Sequence, residues 1–284
     1  MSALGRRAVH GLTGAVHSAA TKPGTERLRF FYLDKRVKGE CIRLALVVAG
    51  IPFEDVRVSY AEVAAMRDAG RLPFSQVPVM QIGDDPTLHG QSQALLRWAG
   101  RKGGLYPEEH QLRIDAVTDV VVELYEHVAA TTAQPSAARP GILTLTRLSP
   151  FAQVVKVGYG SAMTRDPYTG RPMVPLSNGQ RMEVARSCGE LLYPARFQQL
   201  ERLVIDGPGP DGQGSRYFCG EQLTIADISL YVLASAILDG AWAGNGVEPD
   251  VLDGCDKLLE VVRLVGEHPR VKEWNAAHPA EWFG

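Results

Sequence analysis

This sequence has almost no net charge: 30 Lys and Arg stand against 32 Asp and Glu over 284 residues. A chain so balanced, with a pI of about 6.4, gives no reason to expect a polyanionic partner, and no basic nucleic-acid motif interrupts it. Cysteine is sparse as well. Cys41, Cys188, Cys219 and Cys255 lie far apart, with no C-x-x-C pair and no histidine cluster at zinc spacing, so they read as reduced thiols of an intracellular protein. No apolar run approaches the roughly 20 residues that span a bilayer. Acids are absent from the first 25 residues, which hold Arg6, Arg7 and Lys22 among small and hydroxylated residues. Residues 1–26 are therefore a tail outside the fold or an organelle transit segment.

What is present is enough apolar material, 45% of the chain, to bury a core, and a length that suits two compact units. From Arg27 to about residue 105 short β-rich runs alternate with helical ones. "RLRFFYL" and "FEDVRVS" read as strands, and "VPVMQIG" and "PTLHG" flank the turn "GDDP" as a hairpin. "GECIRLALVVAG" places Ile42, Ala45, Leu46 and Ala49 at helical spacing before a stop at Gly50. "AEVAAMRDAG" is a shorter helix, and "QSQALLRWAGRKGG" carries Ala94, Leu95, Trp98 and Ala99 inward. The order β-α-β-α-β-β-α predicts an α/β thioredoxin-like layer.

Beyond the linker "LYPEEH" the pattern turns helical. Ile114, Val117, Val121, Leu124 and Val128 mark one long helix, and "RMEVARSCGELLYPARFQQLERLVI", "TIADISLYVLASAIL" and "CDKLLEVVRLVGEHP" predict others. Residues 111–284 are thus expected to form an all-helical domain, interrupted at about 134–180 by a segment with Arg139, Arg147, Lys156, Arg165 and Arg171 against Asp166 alone. A loop of that length is a functional lid or a disordered insertion. "TIAD" has the form of a capping box, Thr224 answered by Asp227.

Four stretches, "FYLDKRVKGECIRLALVVAGIPFED", "LPFSQVPVMQIG", "LHGQSQALLRWAGRKGGLY" and "YFCGEQLTIADISLYVLA", resemble the cytosolic glutathione S-transferases in order and approximate spacing. The likeness is to the tyrosine-type classes, sigma, pi, mu and alpha, and covers roughly residues 27–133 and 181–280. It implies that Tyr32, at the end of the first strand, donates its hydroxyl to the glutathione sulfur. A phenol with a pKa near 10 keeps its proton at neutral pH, and a hydrogen bond to a thiolate favours the charged form. Lys38 stands where several members carry an arginine that supports this pair, and Arg36 is the neighbouring alternative. Pro78 is expected in the cis form, with Val77 offering backbone contacts and Gln76 a side-chain contact to the tripeptide.

The resemblance further assigns Gln91 and Ser92, at the start of a helix, to the γ-glutamyl carboxylate, where unpaired amides and the helix dipole favour an anion. Ser92 also reads as the cap of that helix. Asp119 matches an acid that reaches the γ-glutamyl amine across a dimer interface. The tryptophan and lysine that hold the glycyl end have no counterpart in "EVAAMRDAGR", which leaves Arg67 or Arg71 for that carboxylate. Glutathione is then a co-substrate, with no metal and no bound cofactor implied, and the partners are a small hydrophobic electrophile and a second copy of the chain. The implied activity is conjugation, with hydroperoxide reduction or isomerisation using the same thiolate. A non-catalytic relative is the alternative. The compartment is the cytoplasm, or a mitochondrion or plastid if the first segment is a transit peptide. A cysteine-type enzyme would need a thiol at the turn "DKRVKG", and Cys41 falls inside the helix instead.

Overall fold

In the computed structural model, the described residues are 27–132, 143–149, 152–157, 183, 185–204, 216–243 and 246–279. The possible transit segment at 1–26 lies outside them. The first unit holds β1 (Leu28–Tyr32), α1 (Lys38–Ala49), β2 (Glu54–Arg57), α2 (Tyr60–Asp68), β3 (Val79–Ile82), β4 (Leu88–Gly90) and α3 (Ser92–Gly103). The sheet runs β2-β1-β3-β4, with β1 parallel to β2 and the hairpin strand β3 antiparallel to β1. This is the expected thioredoxin-like order.

Strand alternation decides where Tyr32 goes. Leu28, Phe30 and Tyr32 face α1 and α3, while Phe31 joins Val56, Val63, Met66 and Val79 in a smaller core beneath α2. α1 buries Ile42, Ala45 and Leu46 and ends at Gly50, whose φ of 68° is the left-handed stop the sequence anticipates. In α3 Leu95 and Ala99 point inward and Trp98 is half-buried, but Ala94 is exposed; Leu96 takes the inward place expected of it. α2 starts in a capping box that the sequence reading passed over, Ser59 accepting from the Glu62 amide at 3.2 Å and Glu62 accepting from the Ser59 amide at 2.7 Å.

The second unit is helical: α4 (Gln111–Thr132), α5 (Tyr193–Glu201), α6 (Ile225–Leu238), α7 (Asp256–Glu267) and α8 (Pro269–Ala277). α4 buries Ile114, Val117, Val121 and Leu124 as its spacing predicts; the side chain of Val128 lies outside the described residues. α6 runs through the middle, packing on α4 and α7 and also on α1 and α3 of the first unit. Its sides are apolar all round for that reason. Within the basic segment, expected as a lid or a disordered insertion, the described residues form two strands. Leu143–Ser149 (β5) and Ala152–Val157 (β6) pair antiparallel, and β6 lies beside α4. The register pairs Leu143 with Val157 and Leu145 with Val155. The remainder of 134–180 is outside the described residues.

Thr224 and Asp227 form the capping box read from "TIAD". The Asp227 carboxylate accepts from the Thr224 amide and hydroxyl, both at 2.7 Å, and from the Phe218 amide at 2.9 Å. Burial raises this acid from 3.8 to about 6, against the lowering effect of those donors. Asp227→Ala leaves two buried amides without an acceptor and is expected to cost about 3 kcal/mol in urea unfolding. Between pH 3.8 and about 6 the unfolded carboxyl is ionised while the folded one still holds its proton, so stability falls as pH rises through that window. Asp227→Asn abolishes this component, which is seen as the pH dependence of the difference between the two unfolding curves.

Candidate functional site

Tyr32 ends β1 and is 7% exposed. Its ring lies flat on the first turn of α1, at Gly39. A Cβ built on Gly39 would stand 2.1 Å from Cδ1 and 2.5 Å from Cε1 of that ring, so only glycine admits the ring here. The strand therefore hands its last side chain to the N-terminal end of a helix, at the junction of the two units.

A buried guanidinium fixes this junction. Arg43, on α1 and fully buried, donates from Nε to Asp55 Oδ1 at 2.9 Å and from Nη1 to Glu40 Oε2 at 3.3 Å. It also donates to the carbonyls of Lys35 at 3.2 Å and Leu33 at 3.1 Å, the loop between β1 and α1. Its plane approaches the rings of Phe30 and Tyr32, 5.5 Å from each centroid. Glu40 is itself buried and accepts from Trp274 Nε1 of α8 at 2.9 Å. Asp55 takes a second donor, Arg57 Nε at 2.9 Å. The sequence reading missed this network. Its signal was two opposite charges three apart, Glu40 and Arg43, inside an otherwise apolar helix, where an inward-facing pair must be mutually satisfied.

The two basic candidates near Tyr32 are committed elsewhere. Lys38 pairs with Glu126 of α4, and Arg36 with Asn275 of α8, with Glu40 at 3.8 Å. Both cations thus bridge the first unit to the second.

On the other side of Tyr32, the Val77–Pro78 peptide is cis, and Pro78 is buried while Gln76 is exposed and Val77 half-buried. Ser75 adopts φ 56°, and its carbonyl accepts from Arg67 Nε at 2.9 Å. Arg67 is therefore a loop support; Arg71, the other arginine considered for the glycyl carboxylate, is exposed. At the start of α3 the cap differs from the expected one. Gln91, with φ 74° and ψ 108°, is the cap residue and Ser92 the first residue of the helix, and no side chain closes the exposed amides. An uncapped helix N-terminus beside the cis-proline strand offers an anion both donors and dipole.

Asp119 of α4 accepts from Arg97 Nη2 of α3 at 3.3 Å, and its side chain is 67% exposed. Arg97 also donates to Asp115 at 2.7 Å, and Asp115 accepts from the Tyr106 hydroxyl at 2.9 Å. All four cysteines are free and buried. Burial, with Glu40 alongside, pushes the Cys41 thiol to about 12, which makes it a packed neutral group. Among the described residues no cluster of His, Cys, Asp and Glu could hold a metal, and no helix is long and apolar enough to cross a membrane.

Residues 180–278 match the family model for the glutathione S-transferase C-terminal domain. Glutathione S-transferase 1 of Ascaris suum is 24% identical over 253 residues, 87% of this chain and 95% of the relative. S-crystallin 3 of Enteroctopus dofleini is 21% identical over 84% of this chain and 91% of its own length. Among solved structures, rat hPGDS complexed with a quinoline aligns with a TM-score of 0.62 at 17% identity, over 90% of this chain and all (100%) of the other. The fold is that of the glutathione S-transferases, a thioredoxin-like unit followed by a helical one, and the sequence likeness is to the cytosolic members.

Replacing Arg43 by Met would take the cation away from two buried or nearly buried carboxylates, Glu40 and Asp55, and its donors away from two loop carbonyls. A loss of roughly 3–5 kcal/mol is expected by denaturant titration, far above the effect of a surface charge change. A loss under 1 kcal/mol would mean that water enters the junction.

Proposed function

We propose that this chain is a glutathione transferase in which Tyr32 holds the glutathione sulfur as a thiolate. The observation that carries the reading is the placement of Tyr32: a phenol seated on Gly39 at the domain junction, between the cis Val77–Pro78 bond and the uncapped start of α3. A free thiol with a pKa near 8.5 is only about a few per cent ionised at neutral pH. A neutral phenol that donates to the sulfur raises that fraction, and the thiolate then attacks an electrophilic carbon and expels its leaving group or adds across an activated double bond.

In this reading the tripeptide lies along the edge of the first unit. Val77 offers its backbone beside Pro78, and Gln76 is exposed enough to reach a ligand. Gln91 and Ser92 present the amides of α3 to the γ-glutamyl carboxylate. Arg71 takes the glycyl carboxylate, since Arg67 already supports Ser75. Lys38 adds a positive charge near the sulfur, tempered by its pairing with Glu126. Asp119, held by Arg97 and still open to solvent, meets the γ-glutamyl amine of the neighbouring subunit in a two-fold homodimer. The electrophile is small and hydrophobic and sits between the units, in the cytoplasm or, if residues 1–26 are a transit segment, in an organelle. Detoxification by conjugation is the role this chemistry serves, and the same thiolate supports peroxide reduction or isomerisation.

A second reading, a non-catalytic relative, is favoured by one feature: Lys38 and Arg36, the two cations considered for the sulfur, are both tied to the second unit. The likeness to S-crystallin 3, a relative not named as a transferase, agrees with it.

Calorimetric glutathione binding and conjugation of a generic electrophile, wild type beside Tyr32→Phe, separate the two. The enzymatic reading expects wild type to bind and conjugate, and Tyr32→Phe to bind with similar affinity but lose about 10²-fold in kcat/KM, as when one donor to a developing anion is removed. A wild type that neither binds nor conjugates selects the second reading.

A further inference from the structure

α1 starts without a side-chain cap, because Val37 holds the cap position and has no polar group to offer. Its first turn is instead tied down through Glu40, which is 3% exposed. One carboxylate oxygen, Oε2, accepts from Arg43 on the same helix at 3.3 Å. The other, Oε1, accepts from Trp274 Nε1 of α8 at 2.9 Å, with Arg36 Nε farther off at 3.8 Å. The near donor on that oxygen comes from the far end of the sequence.

A donor can place its acceptor only if it is itself held. Trp274 is 7% exposed; its ring lies 5.8 Å from that of Phe53, centroid to centroid, and the ring of His278 stacks on it at 3.9 Å. One turn earlier, Arg270 donates to the Val48 carbonyl at the other end of α1. The indole is therefore a fixed point. Through Glu40 it bears on two groups that meet Tyr32: Gly39, the preceding residue, against which the Tyr32 ring lies, and Arg43, whose guanidinium stands 5.5 Å from the centroid of that ring and binds the Leu33 carbonyl directly after it.

We infer that Trp274 is a positioning residue for Tyr32: its indole N–H, by holding the Glu40 carboxylate, sets the first turn of α1 and with it the direction in which the Tyr32 hydroxyl meets the sulfur. This rests on the reading of Tyr32 as the thiolate donor. No covalent bond is made or broken. Without the indole, a buried carboxylate oxygen is short of a donor and turns toward Arg36 and Arg43, taking the neighbouring Gly39 with it. A hydrogen bond weakens steeply as its angle closes, and a shift of about 1 Å at a reacting group is enough to cost most of its effect. In the same reading the ends of the tripeptide are held at the cis-proline turn and the start of α3, away from α8, so binding survives while ionisation of the sulfur suffers.

Two substitutions separate the donor from the bulk. Trp274→Phe keeps a large ring and loses the N–H, whereas Trp274→His keeps a ring N–H at the equivalent position and loses the benzo ring. Both are compared with wild type, Arg270→Gln, Tyr32→Phe and the double Tyr32→Phe, Trp274→Phe variant by ultraviolet titration of the bound glutathione thiolate, steady-state conjugation kinetics and thermal unfolding. Trp274→Phe should titrate about one pH unit higher and lose roughly tenfold in kcat at neutral pH, with KM for glutathione within about twofold. Trp274→His should unfold earlier than wild type yet titrate close to it, and Arg270→Gln, which frees only the opposite end of the contact, should titrate as wild type. In the Tyr32→Phe background Trp274→Phe should change stability alone. In wild type the indole N–H resonance of Trp274 should move with the same apparent pKa as the bound thiol, since coupling between two sites is reciprocal. A Trp274→Phe protein that titrates as wild type overturns the inference, as does a Trp274→His or Arg270→Gln protein shifted equally far, which means that packing of α8 and not the N–H is at work. An indole resonance that ignores the thiol's titration overturns it even where a variant fails to fold. These outcomes leave the role of Tyr32 standing; a wild type that does not bind glutathione, or a Tyr32→Phe protein that titrates as wild type, overturns that reading and this inference together.

Discussion

The junction between strand and helix depends on the buried guanidinium of Arg43. One planar cation holds two carboxylates and two loop carbonyls at once, so the path of the chain from Tyr32 to Lys38 is dictated from inside rather than by its own exposed residues. Arginine suits this place because its fork of donors can serve several acceptors in fixed directions, which an ammonium cannot. The arrangement is less a source of stability than of geometry: a buried ion network roughly offsets its own desolvation, but its collapse is expensive. Tyr32 is positioned as a by-product, its ring near the guanidinium and against the bare Cα of Gly39.

The two units meet through polar ties as well as apolar packing. Lys38 with Glu126, Arg97 with Asp115 and Asp119, and Arg36 with Asn275 each join the sheet unit to the helical one, while α6 packs its apolar surface on α1 and α3. Tyr32 therefore lies against surfaces contributed by both units. The strand edge, the cis-proline turn and the uncapped start of α3 belong to the first unit alone. The second unit's surface can vary without disturbing them.

Much of this was legible in the sequence. Alternation in "RLRFFYL", the helical spacing that stops at Gly50, and the spacing of Thr224 and Asp227 are local signals, and the structure follows each of them. The missing parts are those where a residue's role is set by distant partners. Glu40 and Arg43 look like surface charges until Asp55 and Trp274 are brought alongside. Ser92 reads as a cap because serine usually is one; Gln91 takes the place through a positive φ that no residue preference announces. The strands β5 and β6 lie in a stretch rich in proline and glycine, so composition outweighed their alternation.

Among the described residues, the last helix, α8, serves as a clasp on the first, α1. From α8, Trp274 reaches Glu40, Asn275 takes Arg36, and Arg270 donates to the carbonyl of Val48 at 2.7 Å at the far end of α1. These contacts join positions more than two hundred apart, so α1 gains its indole donor at Glu40 and its tie at Val48 only after α8 has been made, and until then the buried Glu40 lacks one of its partners.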